Sequence, residues 1–396
     1  MLKLKNYIEL NPKEHISKGE VVRQVTMADL EPFNRDIKKC GYVKYKSGTK
    51  FRNGDTLLAR ITPCLENGKT SFVNFLKQNE VAVGSTEFYV LRAIEGKMDP
   101  NYLYYLSISK KFRKSLIKSM TGTSGRQRAT KEAVLDYDSN IPDIDNQKSI
   151  SHKLSLIDDM ISVNNQINDN LLELAKAKFN QTYILPTNGF QKVPLGWERS
   201  NLDEIITFSN GYNFKRIDML KAPEPLTYRI FKQGNILIGG GLNDFGTKSW
   251  ILKSKVKNLD RFVLKKWDLL MAMTDMKNKV AILGNTALMN RNNQYILNQR
   301  VGLIRSNNYN KISQIYLFLL TNSKSFLYNI RSKAHSGVQV NLSTKDIKKI
   351  NLIIAPEEVN NNFNRFAKPI FEKMMENQVD NLTLNEIKQA LLNNFF

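Results

Sequence analysis

Each half of this sequence carries a short glycine-containing stretch and side chains suited to gripping phosphates and reading base edges. In the first half these side chains are Arg60, Lys69, Ser124, Arg126, Gln127 and Arg128. In the second they are Lys248, Lys277, Asn278, Lys279, Gln299, Arg300, His335, Ser336, Gln339 and Asn341. Lysine and arginine pair with phosphates and supply affinity, whereas forked guanidinium and amide groups distinguish bases. Arg126-Gln127-Arg128 places two guanidinium forks and an amide beside Gly125, a pattern suited to groove entry.

Chemistry of turnover is not evident. Gly68-Lys69-Thr70 resembles the end of a phosphate-binding loop, but Pro63 stands where its first glycine belongs. Asp99-Pro100-Asn101-Tyr102 resembles an amino-methyltransferase motif, without a glycine-rich cofactor loop. Pro142-Asp143 could open a nuclease carboxylate motif, yet no Asp/Glu-x-Lys follows in the next 30 residues. Gly239-Gly240-Gly241 reads as a turn or a close approach of backbones rather than a cofactor cradle. Cys40 and Cys64 cannot make a disulfide framework or a zinc site and read as buried free thiols; the three histidines, His15, His152 and His335, are far apart. No metal site, nucleophile–base pair or acid–base pair emerges.

The composition agrees with a polyanion partner. The 396 residues carry 59 Lys+Arg against 37 Asp+Glu, a net charge of +22. Such an excess points first to nucleic acid and second to an anionic membrane surface. With no run of 18 apolar residues and no signal-like N-terminus, the expectation is a cytoplasmic protein without a membrane partner. The charge is unevenly placed: residues 1–145 carry +8, 146–182 zero, 183–356 +16 and 357–396 −2. These bounds give the expected domains: a first recognition domain at 1–145, a central spacer helix at 146–182, a second recognition domain at 183–356 and a C-terminal spacer helix at 357–396.

The two neutral segments show helical periodicity. Ile150, Leu154, Ile157, Ile161, Asn164, Ile167, Leu171 and Leu174 form one stripe; Phe363, Phe366, Ile370, Met374, Asn377, Leu384, Ile387 and Leu391 form the other. These stripes are the expected helix–helix and partner-docking faces. Each helix could run about 37 residues, or about 55 Å. Pro369 should kink the second or mark its late start. Strand signals fall at 56–61, 70–75, 88–91, 280–283 and 300–304.

The chain also repeats itself. An offset of 213 carries Asp55–Ala59 onto Asp268–Ala272, Ile157 onto Ile370, and Asn164 onto Asn377; an offset of 214 carries Tyr102–Leu106 onto Tyr316–Leu320. The expected fold class is mixed α/β: two tandem domains separated by two long antiparallel coiled-coil helices, with a pseudo-two-fold internal repeat. A duplex has the same pseudosymmetry, so such a chain suits two separated half-sites.

These residues resemble the specificity subunit of type I restriction–modification enzymes. The carriers are Gly84–Arg92 (GSTEFYVLR), Tyr102–Leu106 (YLYYL), Thr121–Gly125 (TGTSG), Ile141–Gln147 (IPDIDNQ) and Val193–Glu198 (VPLGWE). The first half departs from the pattern by lacking a Val-Pro-x-Gly-Trp opening, starting instead at Leu4–Leu10, which pairs with Leu202–Phe208. The second junction, Ala355–Glu358, lacks the usual glutamine. The resemblance implies a non-catalytic subunit that reads an asymmetric bipartite sequence in double-stranded DNA. It also implies two modification (methyltransferase) subunits docked on the helices, and restriction/motor subunits in the complex. No cofactor belongs to this chain; S-adenosylmethionine, ATP and Mg²⁺ would sit on the partners. The alternatives are a stand-alone DNA-binding regulator or architectural factor and, less supported by motifs, a self-contained modification enzyme.

Overall fold

A computed structural model describes residues 2–276, 280–308, 312–336 and 339–396; the side chains of Leu2, His335, Ser336 and Gln339 are outside that description. The chain divides into two compact units, Met1–Val163 with Asn381–Phe396, and Asn164–Asp380.

In the first unit, strands Ile8–Leu10, Phe88–Ala93, Thr56–Ala59 and Thr70–Phe72 form an antiparallel sheet in that order. A second sheet orders Gly41–Lys44, Val21–Val25, Ala82–Gly84 and Thr49–Phe51, with Val21–Val25 and Ala82–Gly84 parallel. The second unit repeats the plan. Its four-stranded sheet runs Ile206–Asn210, Val301–Ser306, Leu269–Ala272 and Thr286–Leu288. Its three-stranded sheet again holds one parallel pair, Thr227–Phe231 beside Tyr295–Leu297. The central strands Thr56–Ala59 and Leu269–Ala272 are buried at every residue, hence their unbroken rather than alternating apolar pattern.

The repeat extends to polar detail. Arg92 forks onto Asp55 with two bonds of 2.7 Å, and Arg305 forks onto Asp268 at 2.6 and 2.8 Å. Each aspartate also accepts a backbone N–H three residues before it, from Arg52 and from Lys265, both at 2.8 Å. Helix Pro100–Ile108 is capped by Asp99 and helix Gln314–Thr321 by Ser313; the helices that follow are capped by Ser109 and Ser323. Each of these caps satisfies an N–H that the first helical turn leaves orphaned.

The long helices run Ile144–Phe179 and Glu357–Phe395, 36 and 39 residues. Pro369 neither starts nor ends the second: it lies inside, on an exposed face. Its missing N–H frees a carbonyl that water can reach. In the first unit, Leu154 and Ile150 pack with Leu391, Leu392, Phe395 and Phe396. In the second, the Asn377 amide donates to Asn168 at 2.9 Å and Tyr183 donates to Asn360 at 2.9 Å. Within each unit, rising numbers on one helix meet falling numbers on the other, which makes the pairing antiparallel.

The buried face differs from the expected stripe. Leu154, Ile157, Phe363, Met374 and Asn377 are buried as expected. Ile150, Ile161, Asn164, Leu171, Phe366, Ile370, Leu384 and Leu391 are half-buried. Ile167, Leu174 and Ile387 are exposed. The positions actually covered include Gln147, Ser151, Asp158, Ala175, Asn360, Ala367, Phe371, Asn381, Lys388 and Leu392. Because six of these ten are polar, an apolar-periodicity reading rotates the face toward its hydrophobic neighbours. Two further expectations are corrected. Residues 280–283 form no strand, because the backbone N–H groups of Ala281, Ile282 and Leu283 all turn onto the Asp275 carboxylate at 2.7–3.0 Å. Cys40 and Cys64 are free but only half-buried.

Candidate nucleic-acid interface

The first glycine stretch closes on itself. Thr121 and Arg128 exchange backbone hydrogen bonds of 3.0 and 2.9 Å, and Arg128 also bridges Ile61, giving a three-segment ladder of Ile61, Arg128 and Thr121. Gly122 and Gly125 adopt φ of 119° and 77°, a region costly for side chains with a Cβ, so the turn between them can be tight. Ser124 and Arg126 stand exposed at its tip, and Gln127 is half-buried, its carbonyl holding the Thr62 N–H and hydroxyl.

Beneath that tip lies a charged clamp. Glu87 accepts from Arg128 at 2.6, 2.9 and 3.1 Å and from Arg60 at 3.3 Å. Arg60 also lies over the Tyr89 ring at 5.3 Å. Hydrogen bonds from Arg128, then from Arg60, hold the Glu87 carboxyl below the usual carboxylate range against the opposing effect of burial. Arg60 and Arg128 therefore fix the loop, while Arg126 is left at its tip. Lys69 is elsewhere occupied: its ammonium donates to the Met27 carbonyl at 2.6 Å.

The second unit builds the same ladder as a sheet. Strands Thr274–Met276, Gln339–Asn341 and His335–Ser336 pair antiparallel, with Thr274 opposite Asn341 and Asn341 opposite His335. By the repeat, these three residues take the places of Ile61, Arg128 and Thr121. Lys277, Asn278 and Lys279 follow the first strand and lie outside the described residues. The segment Ala281–Leu283 is held by Asp275 as described above, and by Arg331, which donates to the carbonyls of Leu283 and Ala281 at 2.9 Å. Gln233 ties the neighbouring segment to the ladder through the Thr274 carbonyl and hydroxyl. Lys248 and Arg300 are exposed. Gln299 donates to Asn213 at 2.8 Å, beside Tyr212, which is 42% exposed. The backbone places His335, Ser336 and Gln339 on the ladder.

One position separates the two units most clearly. The equivalent of Glu87 is Arg300, and the equivalent of Arg128 is Asn341. A carboxylate clamped by two guanidinium groups in one unit is replaced by an exposed guanidinium in the other. Neither Glu87 nor Asp275 was among the residues the sequence pointed to. The Arg-Glu-Arg arrangement is invisible in one dimension because its members are separated by 27 and 41 residues.

The motifs that resembled catalytic ones have structural roles. Gly68 sits at φ 79° and packs against the Phe33 ring, where a Cβ would come within 2.5 Å of it. Asp99 caps a helix, and Asp143 accepts from the Asn146 N–H and amide at 2.9 and 2.7 Å. Gly240 allows the backbone to touch Asn322. Among the described residues, no group of three or more His, Cys, Asp or Glu could hold a metal ion, and no helix is long and apolar enough to cross a membrane.

Comparison with known proteins accords with this arrangement. The family model for the type I restriction modification DNA specificity domain matches twice, at residues 5–173 and 194–387. The HindI specificity subunit of Haemophilus influenzae is 24% identical over 403 residues, covering 86% of this chain and 85% of that protein. The EcoAI specificity subunit of Escherichia coli is 35% identical over 128 residues, covering 30% of this chain and only 21% of the relative. In this match and that to the EcoEI subunit, at 17%, the chain spans about a fifth of the relative's length. The crystal structure of the S subunit from M. genitalium shares the fold, with a TM-score of 0.56 at 14% identity, covering 100% of this chain and 95% of that one. With two matched domains that together span most of its length, the chain belongs to the type I restriction–modification DNA specificity family.

Proposed function

We propose that this chain is the non-catalytic specificity subunit of a type I restriction–modification complex, acting in the cytoplasm. It reads an asymmetric, bipartite sequence in double-stranded DNA, one block per unit, and docks two modification subunits and through them the restriction/motor subunits. S-adenosylmethionine, ATP and Mg²⁺ would be held by those partners. One observation carries this reading: the same ladder occurs in both units, but with different side chains at equivalent positions, Arg128 against Asn341 and Glu87 against Arg300. A shared frame with divergent hydrogen-bonding groups is what two unlike half-sites require.

In the first unit, Arg126 and Ser124 are the proposed base and phosphate contacts, with Arg60 and Arg128 positioning the loop. In the second, Lys248, Lys277, Asn278, Lys279, Gln299, Arg300 and Asn341 take that role, with His335, Ser336 and Gln339 on the adjoining ladder. The modification subunits would use exposed apolar side chains of the central helix, such as Leu156, Met160 and Val163, which follow one face of it in the first unit.

Methylome sequencing of host DNA with and without the gene tests the proposal. The expected result is loss of methylation at one split motif, two short unlike blocks around a fixed gap. Methylation unchanged in a strain where the complex is assembled and active would overturn it in favour of a stand-alone DNA-binding protein.

A further inference from the structure

Lysine is seldom fully buried, yet Lys388, near the chain's C-terminus, is 2% exposed inside the first unit. Its ammonium donates to Asp158 at 2.6 Å, and the other oxygen of that carboxylate accepts from the Tyr105 hydroxyl at 2.8 Å. The internal repeat identifies what stands at the same three places in the second unit. An offset of 214 carries Tyr105 onto Leu319, and one of 213 carries Asp158 onto Phe371 and Ala175 onto Lys388. There the polar trio is wholly apolar: Leu319, Phe371 and Ala175 are all buried, and Phe371 meets Phe318, the equivalent of Tyr104, edge to face at 5.5 Å. In both units the longer side chain belongs to Glu357–Phe395 (Lys388, Phe371) and the shorter to Ile144–Phe179 (Asp158, Ala175), charged in the first unit and apolar in the second.

The surrounding contacts are otherwise alike. Phe396 packs on Tyr102 at 5.0 Å as its equivalent, Tyr183, packs on Tyr316 at 4.8 Å. The helical segments 381–396 and 168–183 therefore fill matching grooves, each in its own unit. Shape alone would let either segment enter either groove.

We propose that the buried Tyr105–Asp158–Lys388 trio is a pairing code. It admits segment 381–396 to the first unit and turns away segment 168–183, whether from the same copy or from a second copy of the chain. Docking 168–183 beside Asp158 would bring Ala175 to the place of Lys388 and leave a buried carboxylate with only a tyrosine hydroxyl. Docking 381–396 in the second unit would set the Lys388 ammonium against Phe371 and Leu319 with no counter-ion. A buried pair adds little over a well-packed apolar one, but a stranded buried charge is costly, so the pair acts through exclusion of the wrong match. Two units equal in fold are thereby kept as unlike halves. The inference does not depend on DNA reading.

The complete chain, cut once at a protease sequence placed between Asp380 and Asn381, provides the test. Fluorescent peptides of residues 381–396, of the same residues with Lys388→Ala, and of residues 168–183 are chased onto the cut protein. The native peptide is expected to rebind, and the other two at least about a hundredfold more weakly. In a chain carrying Asp158→Phe, the preference is expected to reverse toward the Lys388→Ala peptide. Equal binding of the three peptides, failure of the native peptide to rebind, or an unchanged preference with Asp158→Phe would each overturn the code. If Asp158→Phe does not fold, the ranking on the unsubstituted chain decides.

Discussion

Arg128, the last residue of the first glycine loop, forks onto Glu87 with bonds as short as 2.6 Å, and the same carboxylate also accepts from Arg60. Two of the cations nearest the loop are thus partly neutralised, while Arg126, two residues away, stays exposed at the tip. Glu87→Gln keeps the shape of the clamp and removes its negative charge. Affinity for an unrelated duplex should rise, with the log–log salt slope steeper by about 0.9, as one more phosphate is neutralised. Discrimination between target and unrelated DNA should fall. Fluorescence anisotropy at several salt concentrations reads both; a uniform loss of binding would mean that the loop collapses without the charge.

The same clamp sets a pH window. Its arginines hold Glu87 below the ordinary carboxylate value of 4.5, so the folded state binds its proton less readily than the unfolded state does. The stability it contributes is fully present above about pH 4.5 and is lost as pH falls through the depressed folded value. The melting-temperature difference between the natural chain and Glu87→Gln should therefore be constant from about pH 5 to 8 and vanish in more acid solution. A difference that changes between pH 6 and 8 would implicate another group.

The repeated Arg–Asp pairs should not be equal in weight. Arg92 and Asp55 have side chains 13% and 1% exposed, whereas Arg305 is 34% exposed against 5% for Asp268. Arg92→Ala leaves the more deeply buried carboxylate without its guanidinium and should cost about 3 kcal/mol. Arg305→Ala opens its partner to water and should cost about 1 kcal/mol, nearer the value of a partly screened pair. Chemical denaturation of the two variants, followed by hydrogen exchange within each unit, measures the contrast. Equal losses would show that exposure of the arginine does not control the cost.

What the sequence made legible was periodic or repeated. The long helices, the doubled order of elements and the buried Tyr102–Leu106 strip all follow from patterns that recur along the chain. The polar core of the helix pair did not, because Asn360 and Lys388 are buried against Tyr183 and Asp158, 177 and 230 residues away in sequence. Asn360 shows the difficulty well. Its amide donates to the Ala355 carbonyl at 2.8 Å, as Gln147 donates to the Pro142 carbonyl at 2.9 Å. The junction that lacked a glutamine has an asparagine making the equivalent bond. Similarly, the loop residues that surround candidate contacts could be found from glycine and charge, but the clamps beneath them, Glu87 and Asp275, depend on tertiary folding.

The equivalence of the two ladders allows the contributions of the two units to the proposed DNA reading to be separated. Arg126 and Arg300 are both exposed guanidinium groups beside the ladder, one in each unit. If each reads a base in its own block, Arg126→Ala should lower affinity for the target by about 1–3 kcal/mol and relax one block alone, leaving the other as selective as before. Arg300→Ala should do the same for the opposite block. A residue that only touches phosphate would instead weaken binding to all sequences alike and flatten the salt slope by about one unit. Binding of the assembled complex to a panel of duplexes mutated in one block at a time distinguishes the outcomes. Relaxation of both blocks by a single substitution would show that the units do not read DNA independently, and the division of the target between them would have to be abandoned.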